Sequence, residues 1–267
     1  MLQFAANLSM MYTEYDFMDR FSAAAQDGFP AVEILFPHEY SPAVLASQLK
    51  ANQLKLVLFN AKAGDFANGE RGMACIPGRE QEFQDSIYLA LDYAAKLDCP
   101  QIHVLAGIKP IGVESEVLLE TYCKNLAWAT EQAKSTETLI LIEPINTRDM
   151  PNYFLNYQAQ AHEIVKSIGA DNLRVQLDLY HCQIMEGDLA MKLKEYLPTG
   201  LVSHVQIAGV PERFEPNIGE INYPYLFSVI ESLGYTGYIG CEYRPQIKNT
   251  TNGTSTGLDW LRNLKTK

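Results

Sequence analysis

Short apolar runs alternate with helix-periodic segments eight times along this chain of 267 residues, a repetition that few folds accept. Strands are predicted over 3–7, 31–35, 54–60, 101–106, 138–143, 173–178, 201–206 and 237–242. Helical spacing predicts a first helix near 14–27, where Phe17, Phe21 and Ala24 recur and Gly28 supplies a stop. Further helices are expected near 41–52, 80–97, 114–135, 156–168, 187–197, 222–233 and 255–265. A helix after each strand carries the chain back to start the next strand in the same direction, so the strands should lie parallel. The expected fold class is therefore α/β, a single-domain (β/α)8 TIM barrel over residues 1–267. The other doubly layered solution, an open sheet that binds nucleotides, would place GxGxxG directly after the first strand. Here that strand runs into NLSMM.

Four of the predicted strands end on a side-chain oxygen: LILIE at Glu143, RVQLD at Asp178, LVSHVQ at Gln206 and YIGCE at Glu242. A barrel of this kind builds its active site from the C-terminal ends of its strands. Three carboxylates and an amide meeting there would repel one another unless a cation or shared protons held them. Oxygen ligation without a Cys/His cluster suits a hard divalent ion, Mg2+ or Mn2+ ahead of zinc, and no organic cofactor is expected. Glu143, Asp178, Gln206 and Glu242 are thus the candidate metal ligands. His181, three residues after Asp178, is a candidate for substrate contact, whereas His204, two residues before Gln206, reads as a packed, hydrogen-bonded residue one layer deeper.

A formal charge of −11 gives no general attraction for nucleic acid or an anionic membrane, and no apolar stretch is long enough to cross a bilayer. A small molecule is the expected partner, and composition does not specify an oligomeric state. An anionic substrate would need local positive charge. Arg213, in the loop after the seventh strand, is the preferred carboxylate anchor; Arg71 lies in the glycine-rich stretch 61–78, a segment long enough for a lid or binding loop, and Arg79 follows directly after it. Five scattered cysteines without a CxxC pair, and an N-terminus with no basic segment before its apolar run, point to a reducing cytoplasm.

Two glutamates at a metal site suggest an isomerisation. The ion polarises the carbonyl of a hydroxycarbonyl compound and acidifies the adjacent C–H; one glutamate takes that proton while the other serves the neighbouring carbon. Hydride transfer between the carbons is the competing route.

At these residues the chain resembles the hydroxypyruvate isomerase family of the xylose isomerase-like TIM barrels. The resemblance runs through FAANLSMM at 4–11, VEILFP at 32–37, GERGMACIPGRE at 69–80, LIEPIN at 141–146, DLYHCQIMEGDL at 178–189, GEINYPYLF at 219–227 and GCEYRP at 240–245. It implies interconversion of hydroxypyruvate and 2-hydroxy-3-oxopropanoate (tartronate semialdehyde) with a divalent metal. It further implies Glu143 and Glu242 as the catalytic acid/base pair, Asp178 and Gln206 completing the coordination, and His181 and Arg213 contacting substrate. The stretches NAKAGDF at 60–66 and FPHEY at 36–40 depart from the family pattern, which makes Lys62 and His38 candidates for altered acceptance of longer 2-oxo acids. The closely similar 2-oxotetronate isomerases share most of these motifs. The endonuclease branch of the same barrel would need more histidines than the five present and a basic groove. A non-catalytic barrel that binds a sugar acid is a third class, although no appended signalling module accompanies the chain.

Overall fold

A computed structural model describes residues 2–247 and 250–265, which contain all of the candidate site. Eight parallel strands close into a barrel in chain order: β1 Gln3–Asn7, β2 Ala31–Ile34, β3 Lys55–Asn60, β4 Gln101–His103, β5 Leu139–Ile142, β6 Leu173–Asp178, β7 Val202–Ile207 and β8 Tyr238–Cys241. The closing pair is β1 with β8, in register from Gln3 opposite Tyr238 to Ala6 opposite Cys241. Helices follow the strands in the predicted alternation: α1 Asp19–Gln26, α2 Pro42–Ala51, α3 Glu80–Leu97, α4 Ser115–Ala133, α5 Gln158–Ile168, α6 Leu179–Met185, α7 Leu189–Tyr196, α8 Tyr223–Ser232, α9 Gly253–Thr256 and α10 Asp259–Lys265.

Three departures from expectation have local causes. The first helix starts only at Asp19, because residues 12–18 close successive turns, Tyr15 N donating to Tyr12 O and Asp19 N to Asp16 O, instead of a helix. The last predicted helix is two short ones separated at Gly257 and Leu258. Most consequentially, α6 follows β6 without a loop: Asp178 is both the last strand residue and the cap of the helix, its Oδ1 accepting from Tyr180 N at 2.7 Å. An acceptor at that position satisfies a helix-end N–H that would otherwise lack a partner.

The apolar faces of the helices pack onto the outside of the barrel. Phe4 of β1 meets Phe227 of α8 and Trp260 of α10, both edge-on at 5.4 Å between ring centroids. Each such buried aromatic ring contributes about 1.5–3 kcal/mol through its removal from water. No described helix is long and apolar enough to cross a membrane.

Candidate active site

Polar side chains occupy the C-terminal end of every strand, not only the last four. Asn7, Asn60, His103, Asp178 and Gln206 stand at or near the ends of their strands, Glu143 and Glu242 lie one residue beyond theirs, and Glu33 precedes the last residue of β2; all are buried. Apart from Asp178, which is fully buried, they border a cavity of 730 Å³ at the barrel mouth or a small polar space of 20 Å³ that shares Asn60, His103, Glu143 and Glu242 with it.

Glu143, Asp178 and Glu242 form the acidic heart of the site. Burial drives the proton affinity of Glu143 well above the carboxylate range, and the charges of Glu242 and Asp178 add to it. Burial likewise pushes Glu242 up to about 8 and Asp178 to about 6, although Arg213 opposes both shifts. Glu143 Oε1 and Asp178 Oδ2 have no hydrogen-bond partner. Buried carboxylate oxygens without donors are costly, so these two atoms ask for a cation or a proton.

Arg213 supplies the nearest positive charge. Its Nη2 lies 3.3 Å from Glu242 Oε2 and 3.7 Å from Asp178 Oδ2, and its guanidinium covers the Tyr180 ring at 4.8 Å. The residue is held at φ +60°, with its N–H donating to Gly209 O and its carbonyl accepting from Arg244 N, each at 2.8 Å. A left-handed conformation at a non-glycine residue needs such support from its surroundings. Burial works against the guanidinium charge, but Glu242, Asp178 and Glu143 outweigh it and raise its proton affinity. With all three carboxylates ionised, one arginine leaves two negative charges uncompensated, which a divalent ion would neutralise.

His181 projects from the first turn of α6. Ligand atoms of Glu143, Asp178 and His181 lie within 4.8 Å of one another, and His181 Nε2 is 3.6 Å from Asp178 Oδ2. The opposite ring nitrogen decides the histidine's role. Asn146 Oδ1 accepts from Asp149 N at 2.7 Å, which fixes the amide so that its Nδ2 faces His181 Nδ1 at 2.6 Å; Asn146 N approaches the same nitrogen at 3.3 Å. Two donors on Nδ1 make it the acceptor, so the ring proton sits on Nε2. Burial and then Arg213 hold the ring neutral by lowering its proton affinity well below the usual value. His181 therefore presents an N–H donor to the site rather than a metal-binding lone pair.

Gln206 belongs to a second polar layer. Its Nε2 donates to Glu33 Oε2 at 2.9 Å and its Oε1 accepts from Gln176 Nε2 at 2.5 Å, which leaves that oxygen one further lone pair. His204 bonds Glu33 Oε1 through Nε2 and Asn7 Nδ2 donates to Oε2 at 3.1 Å, so His204 is the packed, hydrogen-bonded residue its position in β7 suggested. Gly240 makes room for this layer: a Cβ there would fall 1.8 Å from Glu33 Oε1.

The sequence reading overlooked Glu33 and His103. His103 Nε2 lies 3.7 Å from Glu143 Oε2 and its Nδ1 is 3.1 Å from Asn60 Oδ1, while burial lowers its pKa to about 3. It was hidden because β4 was expected to run to residue 106; the strand stops at His103, which makes it another strand-end residue. Glu33 was signalled by a charge inside the apolar run AVEI. Neither Lys62 nor His38 borders the cavity. His38 packs against Phe59 and Tyr93 at 6.0 and 5.0 Å, and burial, then Lys62, lowers its pKa to about 4.

The family profile described as xylose isomerase-like TIM barrel matches residues 21–264. The chain belongs to this family. Among members of known name, it is 55% identical to the 2-oxo-tetronate isomerase of Cupriavidus necator and 46% identical to the hydroxypyruvate isomerase of Escherichia coli, each match covering 98% of both chains. A solved structure described as AP endonuclease, family 2, from Brucella melitensis superposes with a TM-score of 0.94 at 48% identity, over 98% of this chain and 99% of that one.

Proposed function

We propose that this protein is a hydroxypyruvate isomerase, interconverting hydroxypyruvate and 2-hydroxy-3-oxopropanoate by proton transfer between adjacent carbons. The observation that carries the reading is the pairing of Glu143 and Glu242, buried at the ends of β5 and β8, both raised in proton affinity, and facing one cavity. A carboxylate at each end of the reacting pair of carbons can take and return a proton through an oxygen not engaged by the ion.

Glu143, Asp178, Gln206 and Glu242 are the proposed ligands of a divalent ion, with Mg2+ or Mn2+ favoured by the all-oxygen set; the unpartnered oxygens of Glu143 and Asp178 fit that role. When bound, the ion polarises the substrate carbonyl and raises the acidity of the neighbouring C–H. One glutamate removes a proton from C3 of hydroxypyruvate, giving an enediol, and the other delivers a proton to C2; the hydroxyl proton of O3 passes to O2, so the carbonyl ends on C3. His181 Nε2–H donates to a substrate oxygen at the reacting carbons. Arg213, between Glu242 and Asp178, offsets the negative charge that grows there. Five free thiols, four of them buried, support a reducing cytoplasmic setting.

The cavity of 730 Å³ has room for a second substrate, 2-oxotetronate, which presents the same carbonyl, hydroxyl and carboxylate with one more carbon, and the 2-oxo-tetronate isomerase relative at 55% identity supports that reading. Turnover in D2O tests the mechanism. Solvent deuterium should appear on the carbon that gains hydrogen; complete retention of the substrate's own hydrogen would establish hydride transfer instead. Comparing hydroxypyruvate with 2-oxotetronate under matched Mn2+ ranks the substrates.

A further inference from the structure

Both candidate substrates carry a carboxylate beside the reacting carbons, and among the described residues three arginines line the cavity: Arg213, Arg244, which is exposed and whose charge acts on Glu242, and Arg71, which no acidic side chain engages. Resting on the isomerase reading above, we propose that Arg71 receives this carboxylate and so selects 2-oxo acids over neutral sugars.

Arg213 is poorly placed for the task because its guanidinium already faces Glu242, Asp178 and His181. Arg79 is also spent: it grips Glu70 with two nitrogens at 2.6 and 3.0 Å and Glu82 with two at 2.6 and 2.8 Å, and it does not border the cavity. That grip removes Glu70 as a partner for its neighbour Arg71. Among the described residues Arg71 makes no ion pair; its Nη1 donates to the carbonyls of Phe66 and Glu70 at 2.9 and 2.7 Å, while Nε and Nη2 donate to no protein acceptor. The guanidinium lies over the Phe66 ring at 3.9 Å, and that ring leans on Phe36 at 4.8 Å. All three side chains line the cavity. A guanidinium fixed on an aromatic face with donors to spare is built to bind a carboxylate.

The backbone under Arg71 is equally fixed. Gly72 pairs with Ala106 in an isolated bridge, its N–H donates to Ala63 O at 3.0 Å, and Cys75 N donates to Ala106 O at 2.8 Å. At φ +107° and with its missing Cβ only 2.3 Å from Leu105 O, Gly72 is required to be glycine. The backbone from Gly72 to Cys75 is thus pinned beside Arg71, which lowers the ordering entropy lost when a ligand arrives.

The test measures binding to the Mn2+-loaded protein of glycerate, an unreactive acid with the carbon skeleton of hydroxypyruvate, and of neutral glyceramide. Arg71→Gln should weaken glycerate about 10- to 100-fold, the worth of a charge-assisted hydrogen-bond pair, and glyceramide less than threefold. Arg71→Lys should recover part of the loss, and Arg79→Gln should bind glycerate like the parent. On substrate, Arg71→Gln should raise KM for hydroxypyruvate more than it lowers kcat. Unchanged glycerate affinity, an equal loss for both ligands, or no glycerate binding by the parent overturns the assignment. Arg71-dependent glycerate binding by a parent that turns over neither 2-oxo acid would instead sink the isomerase reading and leave the subsite standing.

Discussion

Replacing Gly240 by alanine adds one methyl group to β8 at the point where the carboxylate of Glu33 crosses the barrel. The new carbon would stand 1.8 Å from Oε1 and 2.5 Å from Cδ of Glu33, so the carboxylate must retreat by about 1.5 Å to reach ordinary contact. On a surface such a movement is cheap. Here the same carboxylate accepts from His204, from Asn7 at 3.1 Å and from Gln206 at 2.9 Å, and every path of retreat stretches at least one of these bonds. Hydrogen bonds to a carboxylate contribute about 1.5–3 kcal/mol each, so loosening two of the three costs about 3–6 kcal/mol. Less backbone entropy lost by alanine than by glycine returns about 0.5–1 kcal/mol, leaving a net destabilisation of about 3 kcal/mol. For a chain of this size that lowers the melting temperature by about 6–12 °C. Calorimetry measures it, and titration with Mn2+ reads the second consequence: with Gln206 no longer held by Glu33, metal affinity should fall about 10- to 100-fold. Glu33→Ala/Gly240→Ala should be no less stable than Glu33→Ala, because the colliding group is gone. A Gly240→Ala protein melting within a degree of the parent would refute the claim that this layer is rigid.

Glu143→Gln and Glu242→Gln should each lower kcat at least about a hundredfold while the melting curve of the metal-free protein stays at or above the parent's, since neutral amides relieve the buried repulsion; near-parent turnover in either variant removes that residue from the acid/base pair. The metal-free protein should lose stability as pH rises from about 7 to 8, above the range in which the depressed pKa values of His38, His103 and His181 make stability rise with pH. Glu242, pushed up to about 8, keeps in the folded state a proton that the unfolded chain has already released, so the folded form is favoured at the acid end of that window. Saturating Mn2+ or the Glu242→Gln change should flatten the dependence, as denaturant midpoints across that range will show; a metal-free midpoint that rises with pH there contradicts the burial of this carboxylate.

The barrel was legible in the sequence because periodicity is a local property. Apolar runs of strand length and helical spacing recur in a strict order, and strands near 3–7, 54–60 and 173–178 needed no correction larger than one residue. The carboxyl groups at Glu143, Asp178 and Glu242 were legible for the same reason: a charge that ends an apolar run must face something polar. Their partners were not. His103 was obscured by a strand boundary three residues too long, and nothing local in VEILFP shows that Glu33 reaches across the barrel to His204 and Gln206. The proton position on His181 depends on Asn146, 35 residues away, and the freedom of Arg71 depends on Arg79 having captured Glu70. Sequence alone determined which chemical groups stand at the strand ends, since that follows from neighbours along the chain. Which of them carries a proton, holds an ion or awaits a substrate was decided by closure of the barrel, because hydrogen bonding and desolvation act between groups that only the fold brings together.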